Sequence, residues 1–301
     1  MKLFFQNIFY FVLFNIFIII IVLIFSLNFK PLDYQNAAYS IVNIKSELVR
    51  NSKKKNAIII GGSAVRYGVD SNLISDDLYN YINFGLYAGY GVDPMLFSID
   101  LVKNNIDRII IMFEDDLYFT SLNKGSAMSY KFIRNNNQFL FDNPIYVKNL
   151  PAYLIDQSKG LIKSFLSKEN IVPNYENINL ISDKKGNSNF ELENEENFVV
   201  HPDSSIEYEK LKFDNKIINY LNDLKSKYNI EVFIAFPPLL TYNQKLVIER
   251  RDYIRNKLSD FNFLDLNSTY NEKDKFFNSR WHLNSKEKVI LSNRLNSLLK
   301  K

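Results

Sequence analysis

Ser63 follows Gly61 and Gly62 at the end of a short β-branched run, Ala57-Ile58-Ile59-Ile60. Two glycines permit the sharp turn that leaves a hydroxyl exposed beside free N–H groups, the setting a nucleophile needs. A serine hydroxyl is weakly nucleophilic until a base takes its proton, and the chain holds two histidines, His201 and His282. His282 lies in FFNSRWHLN, residues 276–284, directly before a final helical pattern. Asn284 can cap that helix, and Glu287 completes a capping box. The histidine therefore reads either as the base for Ser63 or as a structural loop residue. His201 precedes Pro202 in an irregular stretch; it is the rival base, and a turn is the usual role of His-Pro.

Other residues near these positions carry two readings each. Arg66 reads as a substrate-binding group for an anion or as a solvent-facing side chain. Trp281 and the pair Tyr87 and Tyr90 read as platforms for a sugar ring or as packing. Glu114-Asp115-Asp116 follows another apolar run, and three adjacent acids read as solvated or helix-capping in preference to a cation site. No metal and no cofactor is expected. The chain has no cysteine, which removes disulfides and thiolate metal sites. A net charge of +4 on 301 residues, with aromatics spread along the chain, argues against nucleic acid as a partner.

These positions need a scaffold, and the apolar runs supply one. Runs like the first recur at residues 81–84, 108–113, 231–236 and 261–266. Helical patterns separate them, one through Ile217, Leu221, Leu224 and Tyr228, another across 241–258 after Pro237-Pro238. Strands alternating with helices predict a three-layer α/β domain on a small parallel sheet of about five strands. In such a sheet ligands sit beyond the carboxyl ends of the strands, where Ser63, Gly85 and His282 fall. Residues 118–205 break the rhythm and read as an irregular or helical insertion. The soluble domain is expected over 56–301, with a connecting helix and linker over 30–55. Lys53, Lys54 and Lys55 read as a solvated turn.

Residues 3–27 contain no charge and are long enough to cross about 30 Å of hydrocarbon as a helix. The expectation is a retained single-pass anchor over 1–29 in place of a cleaved leader, with the bilayer itself as a partner. Basic residues following the span favour a cytoplasmic domain, yet long domains cross regardless of charge, so charge does not decide the orientation.

Taken as an ordered set, Gly61-Gly62-Ser63, Asn83-Phe84-Gly85 and Trp281-His282-Leu283-Asn284 resemble the SGNH, or GDSL-like, hydrolase superfamily. The resemblance covers the order of elements over about 56–300, though only these short stretches match. It implies an SGNH or flavodoxin-like sheet, Ser63 as nucleophile, His282 as general base, and the N–H groups of Ser63 and Gly85 as oxyanion donors. Two positions depart from it. The triad Asp is replaced by Ser279, leaving Asn278 one step further away, and Asn can hold an imidazole tautomer with less support for the imidazolium; Asp274 or Asp265 are alternative substitutes. The oxyanion Asn expected after the middle strand is replaced by Glu114. Anchored relatives of this kind move acyl groups onto polysaccharides. The expectation is a membrane-anchored acyltransferase or esterase for O-acyl groups of a cell-envelope glycan. Its domain would be extracytoplasmic and could take acyl groups from a membrane acyl-donor protein. The competing expectation is a catalytically degenerate protein that keeps the fold for binding or assembly.

Overall fold

The computed structural model of the chain describes residues 4, 6–15, 17, 35–74, 77–119, 185–187 and 211–300. Strands β1 (Lys55–Gly61), β2 (Tyr79–Gly85), β3 (Arg108–Met112), β4 (Glu231–Ala235) and β6 (Asn262–Leu264) form one parallel sheet in the order β2-β1-β3-β4-β6. A separate parallel pair joins β5 (Leu239–Leu240) to β7 (Thr269–Tyr270). The helices are α1 (Gln35–Arg50), α2 (Ser63–Gly68), α3 (Val92–Asp100), α4 (Asn215–Lys227), α5 (Gln244–Lys257) and α6 (Ser285–Leu299).

Side chains alternate across each strand, and both faces are covered. Ile58, Ile60, Ile82, Phe84, Ile109, Ile111 and Ile234 pack against α1, α3, α4 and α5. Ala57, Ile59, Tyr81, Ile110, Met112 and Ala235 pack with Val65 of α2 and with Leu291 and Leu295 of α6. Burial on both faces is why the strands read as continuous apolar runs with no alternation. Each fully buried aliphatic side chain contributes about 1.5–3 kcal/mol of transfer free energy. The three-layer α/β arrangement and all five expected strands are present. The helical pattern ending at Tyr228 stops one residue short, at Lys227, and Tyr228 lies exposed at the C-cap.

Residues 30–55 were expected to link. Instead α1 belongs to the domain: Ile41, Val42 and Val49 are buried in the core. Its Lys45 is also buried and donates from Nζ to the Gly85 carbonyl at 2.9 Å. The physical reason is its period: apolar residues spaced along one stripe of a sixteen-residue helix seek a face to cover.

The stretch read as an insertion over 118–205 lies mostly outside the described residues, as does His201. At its borders, Phe119 bridges Phe213 in an antiparallel sense, and the Asp214 N–H donates to the Tyr118 carbonyl at 2.8 Å. Residues 185–187 lie along β2. The Asn83 N–H donates to Lys185 O at 2.8 Å, and Asn187 Oδ1 accepts from the Ser71 N–H at 2.9 Å. Residues 6–15 are helical, with Phe9, Phe11 and Phe14 exposed. Among the described residues no helix is long and apolar enough to cross a membrane, and the rest of the 3–27 segment lies outside them.

Candidate active site

The strand order places β2 on one side of β1 and β3 on the other, so the topological switch point lies between the carboxyl ends of β1 and β3. Ser63 follows β1 and Glu114 follows β3, which brings both to that crevice. Ser63 opens α2 after Gly62 and is partly exposed. Its Oγ takes no hydrogen-bond partner among the described residues.

Glu114 is buried beneath Ser63. Its carboxylate accepts from the Gly62 N–H at 3.1 Å and the Ala64 N–H at 3.2 Å, leaving the Ser63 N–H between them. A Cβ at Gly62 would collide with this carboxylate, and that close approach is what the second glycine allows. Burial pushes Glu114 up to about 7; the N–H bonds pull the other way, and the neighbouring Asp115 charge adds to the rise. The helix-capping reading of the acidic trio therefore fits Glu114.

Asp115 is fully buried and does not cap. Arg251 Nε lies 3.1 Å from it and Arg250 Nη2 lies 2.6 Å away. Burial works against its charge, but Arg251 and then Arg250 outweigh it and hold the carboxyl below the usual range. Among the described residues no group of acidic, histidine or cysteine side chains is arranged to hold a metal ion.

The segment 271–284 presents His282. Phe276 bridges Leu283, the Phe277 N–H donates to the His282 carbonyl at 2.8 Å, and the Leu240 N–H donates to the Arg280 carbonyl at 2.8 Å. Asn284 caps α6, accepting from the Glu287 N–H at 2.9 Å, and its Nδ2 donates to the Asp274 carbonyl at 2.7 Å. This pinned loop holds Asn278 Oδ1 2.8 Å from His282 Nδ1. With Oδ1 as acceptor, Nδ1 carries the proton and Nε2 keeps the lone pair a general base uses. Ser279 is occupied locally, accepting from the Trp281 N–H at 3.3 Å. Asp265 accepts from the Asn267 N–H at 3.2 Å, and neither it nor Asp274 bonds His282. Asn278 is thus the residue hydrogen-bonded to the His282 ring.

Residues three and four apart share one face of a helix, so Ser63, Arg66 and Tyr67 lie together on α2. The His282 ring packs edge-on against Tyr67, with centroids 4.8 Å apart. That sets the imidazole about one helical turn from Ser63, and the two side chains are not hydrogen-bonded in this state. Loss of solvent, and then the charge of Arg66, lower His282 to about 4. The imidazole is neutral at pH 7, the form a base requires.

Arg66 is 2% exposed, and its Nη1 and Nη2 are buried without a hydrogen-bond partner among the described residues. Its Cζ lies 4.5 Å from the Tyr87 ring centroid and 5.3 Å from that of Tyr67. The solvent-facing reading is therefore replaced by a buried cation between two rings. Leaving such donors unmatched costs about 1–3 kcal/mol. Tyr90 is buried and packs against Tyr87. Trp281 is partly buried with Arg280 Cζ 5.7 Å from its ring.

The expected oxyanion donor Gly85 is engaged elsewhere. Its N–H donates to Asn83 Oδ1 at 2.9 Å, while Asn83 Nδ2 donates to Val65 O at 3.2 Å and Val69 O at 2.7 Å. A buried Asn has four bonding sites to fill, and three are filled here, two by tying β2 to α2 and its C-cap and one within β2. Of the two donors the resemblance implied, the Ser63 N–H alone stands open. A cavity of about 180 Å³ at the ends of β4 and β6, lined by Arg251, Arg255, Asp265 and Ser268 among others, shares no residue with this cluster.

Sequence reading placed Glu114 where the resemblance puts an oxyanion Asn but did not foresee its bonds under Ser63, and it missed Tyr67 and Lys45 as site neighbours. The position of Glu114 directly after β3 is a signal for the first; Lys45 sits in a polar stretch and carries none.

No family model and no curated protein matches the chain. A solved structure from Streptococcus pneumonia, described provisionally as a platelet activating factor, is similar over 88% of this chain and 93% of its own, at 11% identity and a TM-score of 0.42. A likeness of that size carries no argument about the site.

Proposed function

We propose that the chain is a serine-dependent acyltransferase or esterase acting on O-acyl groups of a cell-envelope polysaccharide, held at the membrane through residues 3–27. The observation that carries this reading is the 2.8 Å contact of His282 Nδ1 with Asn278, on an imidazole packed against the helix that Ser63 opens. Ser63 Oγ attacks the ester carbonyl as its proton passes to His282 Nε2. The Ser63 N–H faces the oxyanion that forms. Collapse expels the alcohol, which takes the proton from His282 and leaves an acyl-Ser63. A sugar hydroxyl, or water, then attacks the acyl carbon and gives its proton to His282; collapse breaks the bond to Ser63 Oγ, which takes that proton back from His282 as the new ester or acid departs. The exposed apolar helix at 6–15 supports the anchor, and an envelope substrate favours an extracytoplasmic domain with a membrane acyl donor as partner.

A second reading has its own support: Glu114 lies under the nucleophile and Asn83 occupies the Gly85 N–H. Both disfavour an oxyanion and suit a degenerate site kept for binding or assembly. A fluorophosphonate probe decides between the two. Labelling of the full chain that is lost in Ser63→Ala and His282→Ala is the expected result; an unlabelled, folded wild type overturns the enzyme reading.

A further inference from the structure

We infer that the ligand of this site carries a carboxylate or phosphate group that pairs with Arg66, so that the sugar unit being acylated or deacylated is an acidic one. The inference rests on the acyl-transfer reading of the same cleft and adds the substrate class to it.

The contrast among the buried arginines is the main argument. Arg250 and Arg251 share the Asp115 carboxylate, and Arg251 also donates to Ser268 Oγ at 3.0 Å and to the Pro237 carbonyl at 2.8 Å. The fold thus gives both cations a carboxylate, and Arg251 two further acceptors, although Arg250 Nε is buried without a hydrogen bond among the described residues. Arg66, equally buried, has both guanidinium ends without a hydrogen bond and makes no ion pair among the described residues. The nearby carboxylate, Glu114, is bonded to the Gly62 and Ala64 N–H groups and makes no ion pair with it. A guanidinium presents paired donors in a plane that fits the two oxygens of a carboxylate or phosphate, and a buried one without such a partner is set for an incoming anion.

Placement gives the distance. Arg66 stands three residues after Ser63 on the same helical face, so the two side chains leave the backbone roughly 4.5 Å apart along the axis. That separation matches two substituents of one sugar ring or of adjoining units. Tyr67 and Tyr87 are both partly exposed and form the rim, so a rotamer change in either opens the guanidinium. Their rings then flank the bound sugar.

The test compares acetylated methyl glucuronide with acetylated methyl glucoside as substrates for the full chain in detergent. It also measures direct binding of glucuronate and glycerol 3-phosphate against glucose and glycerol by calorimetry. The expected results are a preference of about tenfold to hundredfold in kcat/KM for the acidic ester, and binding of an anion but of neither neutral compound. Arg66→Gln should bring both differences to about onefold, and Arg66→Lys should retain part of them. Binding of glycerol 3-phosphate alone assigns the anion as phosphate, and of glucuronate alone as carboxylate. Turnover of both esters at equal kcat/KM, with no anion bound, overturns the inference and leaves the acyl-transfer reading standing. Anion binding that Arg66→Gln abolishes, with neither ester turned over, upholds the Arg66 site and removes the acyl-transfer reading. Should Arg66→Gln fail to fold, the wild-type comparison and Arg66→Lys decide.

Discussion

Asn278 Oδ1 accepts the Nδ1 proton of His282 at 2.8 Å, from four residues earlier in the chain. An amide in that place fixes which nitrogen is basic and adds no charge. Asn278→Leu should lower kcat/KM on an acetyl ester by about a hundredfold through loss of the tautomer. Asn278→Asp should keep the activity and move the acid limb of the pH profile upward. Equal kcat/KM for the wild type and Asn278→Leu would exclude the orienting role.

The acid limb itself should lie near pH 4, since loss of solvent and the Arg66 charge lower His282 to about that value. The unfolded imidazole titrates at about 6.5. Stability is therefore whole above that pH and is lost as pH falls through the folded value, because the unfolded chain takes up the proton first. Denaturation midpoints measured from pH 7 to 4 should show this decline, and it should be smaller in His282→Gln.

Glu114 runs in the opposite direction. Its folded value of about 7 lies above that of an unfolded glutamate, so its contribution is full at low pH and is lost as pH rises through 7. A charge formed there also opposes an oxyanion on the Ser63 N–H. Activity should fall on the alkaline side of 7 in the wild type and stay level in Glu114→Gln. A fall of the same size in the variant would assign that limb to another group.

Asp115→Ala strips two buried arginines of their shared carboxylate. The expected loss is about 3–5 kcal/mol in urea unfolding. A change below about 1 kcal/mol would show that solvent reaches the cluster.

How much of this could be read from residues alone follows from physical range. Strands such as β1 and β3 are legible because burial on both faces demands unbroken apolar runs. Asn284 is legible as a cap because capping acts over three residues. Asn278 was named only through the resemblance, beside Asp274 and Asp265 as alternatives, and the structure places it on the imidazole. Arg66 and Gly85 were flagged for the right helix and strand, but their states hang on Tyr87 and Asn83, partners that no local pattern names. Glu114 is the clearest instance: its role depends on β3 lying next to β1, and strand order is a long-range fact. Lys45 meets Gly85 across forty residues, in a segment whose composition reads as a connection.

The three residues 185–187 have a consequence beyond local geometry. The outer edge of β2 is a row of backbone donors and acceptors open to any extended peptide, including the same strand of another copy. Lys185 occupies the Asn83 N–H in the middle of that row, and Asn187 secures the tripeptide to Ser71 and Asp70. The opposite edge, β6, is only three residues long. At high local concentration, copies of this domain would thus have, among the described residues, little exposed β-edge in the main sheet through which to stack into aggregates.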